Sequence, residues 1–187
     1  SPINITMGYT LSNTTVAGLL DILADLQKHT RPNGDETLFY HRSVLSLLSN
    51  RYLQLSGQSA INRLTDDIRK HNKIFIPQKE LGVTPLLKRI FVPLKNADEV
   101  CDYLLDLLAM LQEELNVDTT DNPDENSPEI SVIALEREFI YHYYLSINRL
   151  KGIMQENRIE MNVVTFFKLL KKLTAGISIP FEGEPLS

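Results

Sequence analysis

Glu138 and His142 stand four residues apart, so on a helix the carboxylate could orient the imidazole as a general base. No nucleophile or oxyanion donor accompanies them, and a hydrogen-bonded surface pair is the plainer reading. His29, His41 and His71 are scattered, none with a second ligand at zinc spacing. The chain has no phosphate-binding loop ending in Gly-Lys-Ser/Thr, and no HExxH, CxxC or GxSxG. It therefore reads as carrying no catalytic residue, no metal ligand set and no cofactor of its own.

Two other groups could bind rather than react. Arg149, Lys151 and Arg158 crowd the end of one long helical stretch, and Lys168, Lys171 and Lys172 follow on the next. A solvated face, favoured by the negative end of a helix dipole, explains them. The second reading is contact with a DNA backbone, which makes these six the candidate nucleic-acid-binding residues. Phe139, Tyr141, Tyr143 and Tyr144 could stack bases as single-strand binders do. They fall around the whole circumference of a helix, however, so some of them must pack into a core.

The elements that would hold these residues follow from periodicity and capping. Ser12-Asn13-Thr14-Thr15 can cap a helix whose apolar stripe is Val16, Leu19, Leu20, Leu23 and Leu26, ending near His29. Asp35 can cap a second, burying Leu38, Phe39, Val44, Leu45 and Leu48. A helical stretch broken at Gly57 follows, then a short extended run over 73–77 that reads as a linker or edge segment. Thr84-Pro85 opens a short helix that stops before Pro93. Asn96 with Glu99 three residues on is a capping box for a strong helix with Val100, Tyr103, Leu104, Leu107, Leu108 and Leu111 inside. Residues 116–127, acidic and aperiodic, read as a surface loop. The longest helix spans 128–157, opened by Ser127-Pro128-Glu129, with Leu135, Phe139, Tyr143, Ile147, Leu150 and Met154 as its buried stripe. A last one covers 163–173, capped by Asn162. The expected fold is all-α, an irregular helical bundle of about seven helices with short extended segments at the two ends, 3–7 among them.

At 187 residues, with 43% hydrophobic and 23% charged side chains, the chain has the make-up of one globular domain with a real core. Its formal net charge of −5 argues against tight nucleic-acid binding by the whole surface. Cys101 is the single cysteine, which rules out an internal disulfide and points to a reducing cytoplasm. No apolar stretch reaches the length of a membrane span, so no membrane partner is expected.

Residues 4–11 (NITMGYTL) and 177–187 (ISIPFEGEPLS) read as connections rather than natural termini. Both resemble segments of the large AddB-like bacterial DNA-repair proteins, a PD-(D/E)XK nuclease and UvrD-helicase-related family, with Thr10 where Pro often stands. The runs FYHRSVLSLLSN, IFIP and LEREFIYHYYLSINRL are similar to that family's helical body. The resemblance implies an excised internal piece: a strand-like lead-in from a motor-type domain over 1–11, a helicase-insert-like helical domain over 12–176, and an exit segment over 177–187. It further implies a non-catalytic role, positioning DNA or a partner helicase-nuclease subunit, with divalent metal and ATP left to the rest of the parent polypeptide. Glu182 and Glu184 lie in a turn-prone stretch, which speaks against a metal role for them. The alternative is a free-standing helical protein–protein interaction module, which should show a contiguous apolar patch and ends that lie far apart.

Overall fold

The computed structural model describes residues 7–120 and 128–181. Local capping chemistry sets most helix starts. Thr14 Oγ1 accepts from Ala17 N at 3.2 Å and opens α1 (Thr15–Lys28), whose Val16, Leu19, Leu23 and Leu26 are fully buried. Asn50 caps α3 (Arg51–Leu55) in the same way, after α2 (His41–Leu48) and before α4 (Gln58–Lys70). Thr84 caps α6 (Pro85–Ile90), with Pro85 at the first position, where its missing N–H costs nothing. A one-turn helix, α5 (Gln78–Leu81), precedes it.

The expectation of an all-α body is corrected here. Residues 36–40, expected inside the second helix, form a strand. β2 (Arg31–Asn33) and β3 (Glu36–Tyr40) are a hairpin in which Asn33 pairs with Glu36 across Gly34-Asp35. Gly34 takes φ +62° there, a conformation that glycine adopts without a Cβ penalty. β4 (Phe75–Pro77) adds antiparallel to the other side of β3, giving a three-stranded sheet in the order β2-β3-β4. The period of two then decides burial: Phe39 and Ile76 are register partners with no exposed surface, whereas Leu38, Tyr40 and Phe75 are half-exposed. Phe39 meets Phe91 edge-on at 5.6 Å and ties the sheet into the core. Lys73 holds the approach to β4, its Nζ donating at 2.7 Å to both Asp67 of α4 and Glu80 of α5. The Lys73 bond, with His71 helping, holds the Asp67 carboxyl below the usual carboxylate range.

The second half of the chain is a stack of long helices. α7 runs from Ala97 to Thr120, α8 from Pro128 to Glu156 and α9 from Val163 to Ala175. The capping box at α7 is displaced by one residue: Glu99 N donates to Asn96 Oδ1 at 3.0 Å, while Glu99 Oε2 accepts from Lys95 N at 2.8 Å. α7 passes through 116–120, which the sequence reading placed in a loop, because extending an existing helix costs far less than starting one. Residues 121–127, including Ser127 of the expected cap, lie outside the described residues. Nine α-helices are present among the described residues, where about seven were expected. α9 is capped by Asn162, whose Oδ1 accepts from Thr165 N at 2.8 Å.

A short ribbon joins regions from opposite ends of the sequence. β1 (Met7–Thr10) pairs antiparallel with β5 (Ser178–Phe181), Met7 opposite Phe181 and Thr10 opposite Ser178. Leu11 N, in a 3-10 turn, extends the ladder with a 2.9 Å bond to Ile177 O. Residues 3–6 of the expected first strand, and Glu182 and Glu184, are outside the described residues. No helix among the described residues is long and apolar enough to cross a membrane.

Candidate nucleic-acid interface

The six cations singled out by the sequence all lie on α8, on α9 or in the turn between them, but their surroundings divide them. Lys151 turns back onto α7, where its Nζ donates to Asp102 Oδ1 at 2.6 Å; the bond raises the Lys151 pKa. Lys171 reaches α1 and pairs with Asp21 at 3.2 Å. Lys168 lines the seam between α9 and α1, beside Asp21, Asp25 and Lys28. Arg149, Arg158, Lys168 and Lys172 are exposed and make no ion pair with any described residue. The acidic side of α1 and Asp102 on α7 therefore offset part of the cationic group, and sequence order gave no sign that these carboxylates would face it.

Arg158 has an unusual backbone. After α8, Ile159 N donates to Met154 O at 2.9 Å and Arg158 N to Gln155 O at 3.4 Å, the two closures of a Schellman cap. The position between them requires the left-handed conformation, and Arg158 holds it at φ 52°. The same cap ends α4, where Asn72 sits at φ 47° and Lys73 N bonds Ile68 O at 3.1 Å. Asparagine tolerates this conformation; a long side chain with a full Cβ pays about 1 kcal/mol or more for it. The exposed guanidinium is thus held where glycine or asparagine would sit more comfortably.

The aromatic group is split. Phe139 and Tyr143 are buried, whereas Tyr141 and Tyr144 are 50% and 41% exposed. These two phenols flank an open groove of about 640 Å³ between α7 and α8, lined also by Leu108, Ala109, Ala134 and Ile140. Arg137 and Gln112 clasp across it: Gln112 Nε2 donates to Arg137 O at 2.9 Å, and Arg137 Nε donates to Gln112 Oε1 at 3.3 Å. Glu138 also lines it, with its Oε1 3.3 Å from His142 Nε2. Cys101 is buried, and burial pushes its thiol pKa up to about 11, which leaves it a poor nucleophile.

Gln27 and Glu136 are among the buried polar side chains that the sequence did not single out. Gln27 of α1 is 8% exposed, donates through Nε2 to Val92 O at 2.7 Å and accepts through Oε1 from Leu94 N at 3.1 Å. Glu136 of α8 is 7% exposed; its Oε1 lies 3.4 Å from Arg51 Nη1, and its Oε2 has no partner. The hydroxyl of buried Tyr52 is likewise without a partner. Burial raises the Glu136 pKa, against the opposing pull of Arg51. A buried Gln or Glu on an otherwise apolar stripe is the available sequence signal, and the spacing around Glu136 hides it among exposed charges.

No protein-family model matches this chain, nor does any curated protein or solved structure.

Proposed function

We propose that this chain is a non-catalytic helical domain of a helicase- or exonuclease-related DNA-repair protein, where it positions DNA or a partner subunit. The pairing of β1 with β5 carries the reading. A helical body entered and left through two adjacent strands has the geometry of a module set into a larger fold, as the resemblance of 4–11 and 177–187 implies. Arg149, Arg158, Lys168 and Lys172 supply the phosphate contacts, and Arg158 keeps its cation at a backbone position that disfavours it. Lys151 and Lys171, already paired, contribute less. ATP and divalent metal belong to the parent polypeptide.

Salt dependence of DNA binding tests this directly. Four phosphate contacts give a slope of log K against log salt of about −3.6 on duplex DNA. Changing Arg149, Arg158, Lys168 and Lys172 to Ala one at a time should lower the slope by about 0.9 each. Lys151→Ala should leave it nearly unchanged. A binding constant indifferent to salt and to all four changes would end the backbone-contact part of the proposal.

The groove between α7 and α8, with Tyr141 and Tyr144 exposed beside it, favours a second reading as a protein-interaction module. The adjacent β1 and β5 count against that reading, which expects the ends far apart. Capture of a protein partner that is lost on Tyr141→Ala, with no DNA binding, would decide for the module.

A further inference from the structure

The three-stranded sheet has two faces, and only one of them belongs to the core. Phe39 and Ile76 are buried register partners, whereas Tyr40 and Phe75, one residue along each strand, pair on the other face and stay half-exposed. Their ring centroids are 5.5 Å apart. Arg31 of β2 pairs with Leu38, which shares that face with Tyr40, and its guanidinium sits 4.3 Å over the Phe75 ring. The imidazoles of His29 and His41 flank Tyr40, with centroids at 5.8 Å and 4.8 Å. His41 N donates to Ile74 O at 2.8 Å, which continues the β3–β4 pairing past the two rings and fixes them on neighbouring backbone.

Arg31 is exposed and has an aromatic ring, not a described carboxylate, as its partner, so its charge is not neutralised. The carboxylate that reaches this end of the sheet, Asp25, is engaged by His29 at 3.4 Å and by Ser43 Oγ at 3.0 Å. Asp35 and Glu36 lie at the β2–β3 turn, about 13 Å or more along β3 from Tyr40, and Glu36 faces Lys79 at 3.5 Å. Both sheet edges are blunted, because Pro32 in β2 and Pro77 in β4 lack the N–H that an added strand would use. The face therefore suits a ligand that brings flat π surfaces and negative charge rather than a peptide backbone.

We propose that this face is a stacking site for single-stranded nucleic acid. A base lies on Tyr40 and on the Arg31 guanidinium, whose donors take the adjoining phosphate. Duplex bases, already stacked on one another, are not available to it. The site shares no residue with the α8 and α9 cations and needs none of them.

Anisotropy of a fluorescent oligothymidylate, titrated with the full chain, tests the site. Tyr40→Leu should weaken binding by about tenfold or more, and Tyr40→Phe, which keeps the ring, should bind as the wild type does. Arg31→Gln should lower the slope of log K against log salt by about 0.7, the single-strand value for one phosphate. Single-strand binding that falls with these sheet changes, with no duplex binding at all, supports the sheet site and ends the α8–α9 contact. Single-strand binding that ignores them but is lost when Arg149, Arg158, Lys168 and Lys172 become Ala overturns the sheet site and leaves that contact standing. Absence of single-strand binding, or capture of a protein partner in its place, also overturns it. If Tyr40→Leu fails to fold, the ring protons of Tyr40 and Phe75 in the wild-type protein decide: upfield shifts on adding the oligomer support stacking, and unmoved resonances overturn it.

Discussion

Gln27 and Glu136 are nearly equally buried, and each reaches from a long helix to a neighbouring segment, yet they fasten in opposite ways. Gln27 offers one donor and one acceptor to a stretch of irregular backbone that has one of each to give, at Val92 O and Leu94 N. Every polar atom in that joint is satisfied without charge. Glu136 brings a titratable group to a joint with α3 where one oxygen and one phenol stand idle. A neutral amide gives a contact whose strength does not depend on pH, whereas a carboxyl in the same degree of burial, its pKa raised by desolvation, makes the strength vary with pH. The joint where α1 meets the 91–95 segment is thus fully satisfied without charge, and the joint where α3 meets α8 is not.

The largest effect should come from breaking the satisfied joint. Gln27→Ala strands two backbone groups and should cost about 2–4 kcal/mol in urea denaturation at any pH from 5 to 8. Glu136→Gln should differ from it in pH dependence: burial raises the Glu136 carboxyl, so the wild type loses stability as pH rises through that raised value, and the Gln variant should not. Tyr52→Phe removes an idle buried hydroxyl and should be neutral or gain up to about 1 kcal/mol in the same assay. Smallest of all, Arg51→Ala should change stability by about 0.5 kcal/mol or less, because its ion pair is long and wet. Equal pH dependence for Gln27→Ala and Glu136→Gln would erase the distinction between the two joints.

What could be read from residue order was local. The caps at Thr14, Thr84, Asn96 and Asn162 depend on side chains and amides a few residues apart, and all four are present in the structure. The strand β3 was misread because Leu38 and Phe39 continue a helix-like apolar pattern into Val44 and Leu45. Only pairing with Phe75–Pro77, far along the chain, decides for the extended form. The cationic residues were visible by type, but not which of them would be paired. Asp102 is 49 residues from Lys151, and Asp21 lies on the first helix, so neither contact has a short-range signature. Glu136 was invisible for a related reason: its partner, Arg51, is 85 residues away in sequence.

The β1–β5 ribbon also sets how the body would respond to a pull. Met7 and Phe181 are paired at the end away from the helices, and Thr10 and Ser178 at the near end. Tension that drew the two chain directions apart would peel the ladder one bond at a time from Met7 inward, as a zipper opens. The strands would not slide along each other with all their bonds loaded together. Little force would reach α1 or α9 until the last rung, Leu11 to Ile177, had parted.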